Sequence, residues 1–239
     1  MDSTNRIWPT LQQENRLWQA GSQRIAGIDE AGRGALAGPV VAAAVIVPPY
    51  CAQEGVWSQV ADRKLLTPAM RARLADESRT AALAWGIGAV PASTIDRIGI
   101  SAATRQAMIE AMAALALPPD YLLLDWVKLP QVALPQASFI KADRHIVSVA
   151  AAAILAKVYR DQHLVALHDL YPPYGFARHK GYGTAAHLGA LAQHGPCVEH
   201  RHTFAPVARH TTSIVPAPPP AIGIDSTEGL PGSPPTYHT

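Results

Sequence analysis

Residues 25–39 read IAGIDEAGRGALAGP: an apolar run that ends in two adjacent acids, Asp29 and Glu30, then a loop with Gly32, Arg33 and Gly34, then Gly38 and Pro39. A second apolar run, Val40 to Val47, follows. The direct reading is two buried strands, residues 24–29 and 40–47, joined by a glycine loop. Acids at the end of a buried strand are costly unless something pairs with them, and a bound metal ion is one such partner. Glycine lacks a Cβ and tolerates positive φ, so this loop can bring its backbone close to a ligand. Carboxylates, an arginine and bare backbone N–H groups in one turn suit a metal ion and a phosphate backbone together. Taken alone, the stretch also fits a plain β-hairpin with solvated acids.

The surrounding chain supports a globular enzyme-sized domain. It has 239 residues, 49% apolar and 16% charged, enough for a substantial core. A net charge of +2 and a pI near 8.6 are too weak to indicate nucleic acid, so any basic patch has to be local. The two cysteines, Cys51 and Cys197, are far apart and argue against a disulfide scaffold, in keeping with a reducing cytosol. No apolar h-region follows the N-terminus, and no apolar run is long enough to span a bilayer. A cytoplasmic protein without membrane contact is expected.

Taken in order, residues 5–20 form an amphipathic helix with Leu11, Leu17 and Trp18 on one face. Residues 48–60 form a loop. Thr67 followed by Pro68 predicts a capped helix over 68–78, with Lys64 just before it placed to meet a phosphate. Residues 80–90 read as a third strand, 93–99 as a turn and 100–116 as a helix. Residues 121–125, Tyr-Leu-Leu-Leu-Asp, read as a fourth strand, and 138–143 as a fifth. Residues 144–160 form an apolar helix, and from Asp161 the chain continues into another helical stretch to about 170. The segment 171–206 turns aromatic, basic and glycine-rich, with a helix over 185–194 capped by Thr184. From about 209 the chain is Pro/Ser/Thr/Gly-rich and reads as a disordered tail.

Three predicted strands thus end in acid: Asp29–Glu30, Asp125 and Asp143. If those strands are neighbours in one sheet, the acids meet, and clustered carboxylates repel unless a cation neutralises them. Hard oxygen donors select Mg²⁺ or Mn²⁺ over zinc. Two such ions can clamp a phosphodiester for attack by water. Downstream, Arg178, His179, Lys180 and Arg201 are candidate phosphate contacts. Tyr182, between two glycines, is a candidate for stacking on a sugar or base. His187, His200 and His202 match no familiar zinc spacing.

On these residues the chain resembles bacterial ribonuclease HII. The matching segments are 28–39 (IDEAGRGALAGP), 62–65 (DRKL), 124–125, 141–143 with 149–161 (VAAAAILAKVYRD), 171–184 (YPPYGFARHKGYGT) and 200–207 (HRHTFAPV). The resemblance implies an α/β fold: an RNase H-like mixed five-stranded sheet flanked by helices, with a helical C-terminal extension. It divides the chain into a helical lead-in (1–23), a catalytic domain (24–207, with the extension from about 162) and a Pro-rich tail (208–239). It implies endonucleolytic cleavage of the RNA strand of RNA–DNA hybrids, and of duplex DNA 5′ of a single ribonucleotide, leaving 3′-hydroxyl and 5′-phosphate ends. Asp29, Glu30, Asp125 and Asp143 take the family's metal-binding positions, for Mn²⁺ or Mg²⁺. Gly32, Arg33 and Gly34 fall on the loop that reads the 2′-hydroxyl, and Tyr182 on the tyrosine that stacks at the RNA–DNA junction. Lys64, Arg178 and Lys180 are expected at the substrate, and the acting unit is expected to be a monomer.

The chain departs from the family's pattern at Arg63, where serine is usual, at Trp126, where glycine usually follows the acid, and at Ala153, where serine is common. Two alternatives stay open at this point. One is a nucleic-acid-binding module without catalysis, which would not need four acids. The other is the sister enzyme ribonuclease HIII, which usually has an additional N-terminal domain and lacks the arginine-containing loop.

Overall fold

The computed structural model describes residues 8–60 and 66–210. Lys64 and Arg63 lie outside these residues, as does the tail beyond His210. A short helix α1 (Gln12–Gln19) leads into strands β1 (Ile25–Ala31) and β2 (Val40–Ile46). Then come α2 (Val56–Gln59), α3 (Pro68–Ala81), β3 (Ala84–Val90), α4 (Ala92–Ile98) and α5 (Ile100–Ala113). Strands β4 (Tyr121–Asp125) and β5 (Gln136–Phe139) precede the long α6 (Val147–Leu170). Three further helices, α7 (Phe176–His179), α8 (Ala185–His194) and α9 (Ala205–Ala208), form the C-terminal extension.

The five strands make one mixed sheet in the order β3-β2-β1-β4-β5. β1 runs antiparallel to β2 and parallel to β4, with Ile28 opposite Leu124. β4 and β5 are also parallel. The interior strand β2 is buried along its whole length, so its sequence is apolar at every position rather than alternating. Its two faces serve different layers. Val41, Ala43 and Val45, with Ile25, Ala31 and Leu123, pack against α6. Val40, Ala42, Ala44 and Ile46, with Ala26, Ile28, Leu122 and Leu124, pack against α5 through Ala107, Met108 and Ala111. The first turn of α6 lies directly on β1 at Gly27, where a Cβ would stand 2.3 Å from the carbonyl carbon of Ser148.

The element boundaries differ from the sequence expectation in several places. The expected loop 48–60 contains α2, and β1, expected to end at residue 29, runs to Ala31. α3 continues to Ala81, so β3 begins at Ala84 rather than residue 80. The run Thr-Ala-Ala-Leu-Ala has no periodicity that separates helix from strand, and the Thr80 hydroxyl donates back to the Asp76 carbonyl within the helix. Where the sequence predicts a turn over residues 93–99, Ala92–Ile98 form α4, whose Ile95 is buried. The stretch beyond residue 144 is one uninterrupted helix of 24 residues. Most important for function, the fifth strand stops at Phe139. Lys141 adopts a left-handed conformation (φ 58°), which no strand accommodates, and Asp143 sits on a 3-10 turn, Ala142–Arg144, rather than at a strand end.

α1 is tied to the segment that follows Asp143. The Thr10 N–H donates to the His145 carbonyl at 3.1 Å, and the fully buried Glu14 accepts the Ser148 N–H at 2.9 Å. Glu14 thereby caps the N-terminus of α6, where a carboxylate is favoured by the helix dipole. Burial nevertheless raises its pKa.

Candidate active site

The parallel pairing of β1 and β4 places Asp29 and Asp125 side by side where these two strands part, Asp29 still paired with Ala43 of β2 and Asp125 with Phe139 of β5. Ile28 opposite Leu124 is the last pair between them, and each acid is the next residue of its strand. Alternation then assigns faces. Asp29 falls on the α6 face with Ile25 and Ala31, and Asp125 falls on the same face with Leu123. Glu30 falls on the opposite face. Asp29 is 5% exposed, and its carboxylate accepts the N–H of Glu30 at 2.7 Å. Asp125 accepts the N–H of Ala142 at 2.8 Å. That bond fastens the turn bearing Asp143 to the Asp125 side chain. Glu30 is close enough to Asp125 for the latter's charge to raise its pKa, although burial is the larger cause.

The Glu30 carboxylate is divided in its surroundings. Oε1 accepts the indole N–H of Trp126 at 3.1 Å, while Oε2 is buried with no hydrogen-bond partner among the described residues. A bare, buried carboxylate oxygen beside other acids is what a cation would satisfy. Among the described residues, no group of three or more His, Cys, Asp and Glu side chains is gathered closely enough to hold a metal ion. Asp29, Glu30 and Asp125 instead stand near one another where β1 and β4 part, and the turn that carries Asp143 is fastened to Asp125. Like charges favour such spacing, and an all-oxygen donor set of this kind fits Mg²⁺ or Mn²⁺.

The glycine loop is held from beneath by two arginines that are each 0% exposed, Arg160 and Arg201. Arg160 Nε donates to the Pro39 carbonyl at 3.0 Å, Nη2 to Ala37 at 2.9 Å and Nη1 to Lys180 at 2.9 Å. Arg201 Nε donates to Gly38 at 3.1 Å and Nη1 to Arg33 at 2.8 Å. Burial pulls down the pKa of both guanidiniums, and the carbonyl dipoles supply the missing solvation. Gly32 is forced by this arrangement. Its φ is +86°, and a Cβ would stand 1.8 Å from Arg160 Nε. Arg33 and Gly34 project at the rim, half-buried and exposed respectively.

Arg201 was expected at a phosphate; the structure corrects this, because its guanidinium is enclosed and bonded to the loop backbone. His179 is corrected likewise. Its Nε2 lies 2.7 Å from the Tyr174 carbonyl, and its Nδ1 accepts the Gly181 N–H at 3.2 Å. Lys180 is half-buried and its ammonium donates to the Ala177 carbonyl. Arg178 is exposed, and Tyr182 is 36% exposed. The Tyr182 ring is backed by two cations, Lys157 Nζ at 5.4 Å and Arg160 at 5.3 Å from its centroid. Sequence reasoning missed Arg160. Its one signal was a charge one turn from the polar end of an apolar helical run.

Tyr182 is also fixed from its backbone side. His187 Nδ1 lies 3.0 Å from the Tyr182 carbonyl, and its Nε2 lies 3.0 Å from Nε2 of His200. His200 Nδ1 accepts the Cys197 N–H at 3.0 Å, with the Cys197 thiol 3.2 Å away. Only one tautomer pattern satisfies this chain: His187 donates to the carbonyl, and His200 donates to His187. Cys197, unattached in the sequence, thus joins the buried histidines. Burial lowers the pKa of His187 to about 4 and of His200 to about 3. The unfolded chain therefore binds protons near pH 6.5 that the folded chain refuses. Stability is full above about pH 6.5 and falls as pH drops toward about 4, by roughly 1.4 kcal/mol per pH unit for each histidine. Urea unfolding across that range checks this; an unfolding free energy that stays level would contradict a neutral buried pair.

Residues 26–207 match the sequence model of a family described as Ribonuclease HII. A Ribonuclease HII from Roseiflexus castenholzii is 50% identical over 200 residues, covering 83% of this chain and 89% of that protein. Ribonuclease H2 from Pyrococcus horikoshii OT3 has a similar fold, with a TM-score of 0.65 at 22% identity over 79% of this chain and 97% of that one. Bst-RNase HIII, whose structure was solved in complex with Mn²⁺, matches with a TM-score of 0.55 at 19% identity over 81% of this chain and 70% of its own.

Proposed function

The chain belongs to the ribonuclease HII family, and from that premise we propose that it hydrolyses the RNA strand of RNA–DNA hybrids and incises duplex DNA 5′ of a single embedded ribonucleotide, leaving 3′-hydroxyl and 5′-phosphate ends. The observation that carries the reading is the place where Asp29 and Asp125 stand side by side as the parallel strands β1 and β4 part and Asp125 binds the backbone of the Asp143 turn. Glu30, with its bare buried oxygen, completes a set of oxygen donors suited to Mn²⁺ or Mg²⁺. Bound there, a pair of such ions would supply a nucleophilic water and neutralise charge on the phosphate.

The remaining parts have separate duties. Arg201 holds the Arg33 carbonyl and Arg160 packs against Gly32, so the polar groups of the Gly32–Gly34 backbone are set to meet a ribose 2′-hydroxyl without reorganising. Tyr182 presents its ring beside that loop, through Arg160, to stack on the neighbouring deoxyribose. Arg178 is placed for the backbone of the duplex, contributing affinity without sequence reading. Lys64, outside the described residues, is proposed for the same purpose. The proposed setting is cytoplasmic and the acting unit a single chain. No helix among the described residues is long and apolar enough to cross a membrane.

Three duplexes of one sequence test this: a hybrid, a DNA duplex with one ribonucleotide, and all DNA. With Mn²⁺ or Mg²⁺, the first two are expected to be cut and the third left intact. The single-ribonucleotide product should carry a 3′-hydroxyl that a polymerase extends. Cleavage of the all-DNA duplex at a comparable rate, or cleavage that persists in chelator, would rule the reading out.

A further inference from the structure

Trp126 occupies a conformation that its side chain does not favour. It is the central residue of a γ-turn closed by the Val127 N–H on the Asp125 carbonyl, and its φ is +46°. Bulky residues rarely adopt positive φ, and a turn of this hand is strained. Glycine would sit there at ease. The strain falls on the residue immediately after Asp125. An outlier that the surroundings maintain at such a place points to a function for the side chain.

The side chain connects parts of the site that the backbone leaves separate. Its indole N–H donates to Glu30 Oε1 at 3.1 Å. Its ring carries the Arg33 guanidinium 3.9 Å from the centroid, a cation–π contact. Arg33 reaches on to the Ser101 hydroxyl at 3.4 Å. The Trp126 N–H of the main chain donates to Phe139 at 2.9 Å, anchoring the residue to the end of β5. The indole is 40% exposed, so it stands at the rim and not in the core. One residue therefore orients an acid of the proposed metal edge and an arginine of the proposed ribose-reading loop. The oxygen that Trp126 holds is Oε1, and the oxygen left bare is Oε2.

We propose that Trp126 is a positioning residue that fixes Glu30 for metal binding and Arg33 for substrate, coupling the acidic edge to the glycine loop. The proposal rests on the ribonuclease reading above. A donor to a ligating carboxylate restricts its rotamers and presents the other oxygen to the ion, and loss of such a partner typically weakens metal binding 10–100-fold. The ring acts separately, by holding a flexible arginine in one place above the loop.

Two variants separate the two duties. Trp126→Phe keeps a ring for Arg33 and removes the N–H. Trp126→Gly removes both and relieves the positive φ, so its melting temperature should not fall below that of the parent. Mn²⁺ affinity, measured by isothermal titration on the substrate-free protein, should weaken about tenfold in both variants. Preference for a duplex with one ribonucleotide over all DNA, measured as a ratio of dissociation constants by fluorescence anisotropy, should be kept in Trp126→Phe. It should drop about fivefold or more in Trp126→Gly. Parent-like Mn²⁺ affinity and parent-like preference in both variants would overturn the proposal while leaving the ribonuclease reading intact. A parent protein that neither binds Mn²⁺ nor prefers the ribonucleotide would overturn both.

Discussion

Asp29→Asn is expected to lower metal-dependent cleavage by on the order of 10³-fold or more while leaving the protein folded. The substitution keeps the shape and removes one negative charge from a residue that is 5% exposed. Asparagine retains an oxygen that can accept the Glu30 N–H, now at 2.7 Å, so the strand end need not move. What is lost is a charged oxygen donor at the centre of the acidic edge, beside Asp125 in the parallel register. Removing a buried like charge relieves repulsion, so the melting temperature should hold or rise. Single-turnover cleavage of a duplex with one ribonucleotide, together with a thermal melt, checks both halves. Cleavage within about tenfold of the parent would remove Asp29 from the site.

Arg160→Met should produce the largest loss of stability in the chain's polar framework. Methionine matches the length of the stem and offers no donors. The carbonyls of Ala37, Pro39 and Lys180 would then lose their partners inside the protein. Leaving buried carbonyls unsatisfied costs about 1–3 kcal/mol each, partly relieved by relaxation, so a total of roughly 3–5 kcal/mol is expected. For a chain of this size that corresponds to a fall on the order of 10 °C in melting temperature. The same guanidinium backs the Tyr182 ring at 5.3 Å, so preference for the ribonucleotide should weaken as well. Arg160→Lys should recover only part of the loss, because an ammonium cannot reach three diverging carbonyls in one plane. A melting temperature within about 2 °C of the parent for Arg160→Met would show that the loop is held by something else.

The acids and most strands were legible in the sequence because each rests on a local signal. An apolar run marks a buried strand, and an acid at its end marks where the strand leaves the core. Asp29 and Glu30 mark instead where β1 parts from β4, since β1 stays paired with β2 through Ala31; Asp125, the last residue of β4, follows that rule. Asp143 does not, because the strand before it ends at Phe139 and the left-handed Lys141 turns the chain onto a 3-10 turn. Nothing in the local composition distinguishes that turn from two more residues of strand. The segment around residue 80 failed for a related reason: alanine-rich sequence satisfies helix and strand patterns alike.

The supports of the glycine loop were not legible, because their partners are remote. Arg160 binds carbonyls 121 and 123 residues away, and Arg201 binds one 163 residues away. An arginine in an otherwise basic segment reads as a surface charge until the fold encloses it. The histidine chain has the same character, since His187 and His200 become partners only once α8 packs against the rest of the extension. Trp126 was visible as a departure from the family's glycine, but its consequence depends on the conformation of one residue.

The central claim is that Asp29, Glu30, Asp125 and Asp143 together hold the divalent ions. Diffraction from crystals grown with Mn²⁺, collected at a wavelength where manganese scatters anomalously, tests it most directly. Anomalous peaks are predicted about 2.0–2.3 Å from carboxylate oxygens of Asp29 and Asp125, with Asp143 and Glu30 Oε2 among the ligands. Peaks confined to other residues, or peaks that no carboxylate of Asp125 or Asp143 touches, would contradict the account.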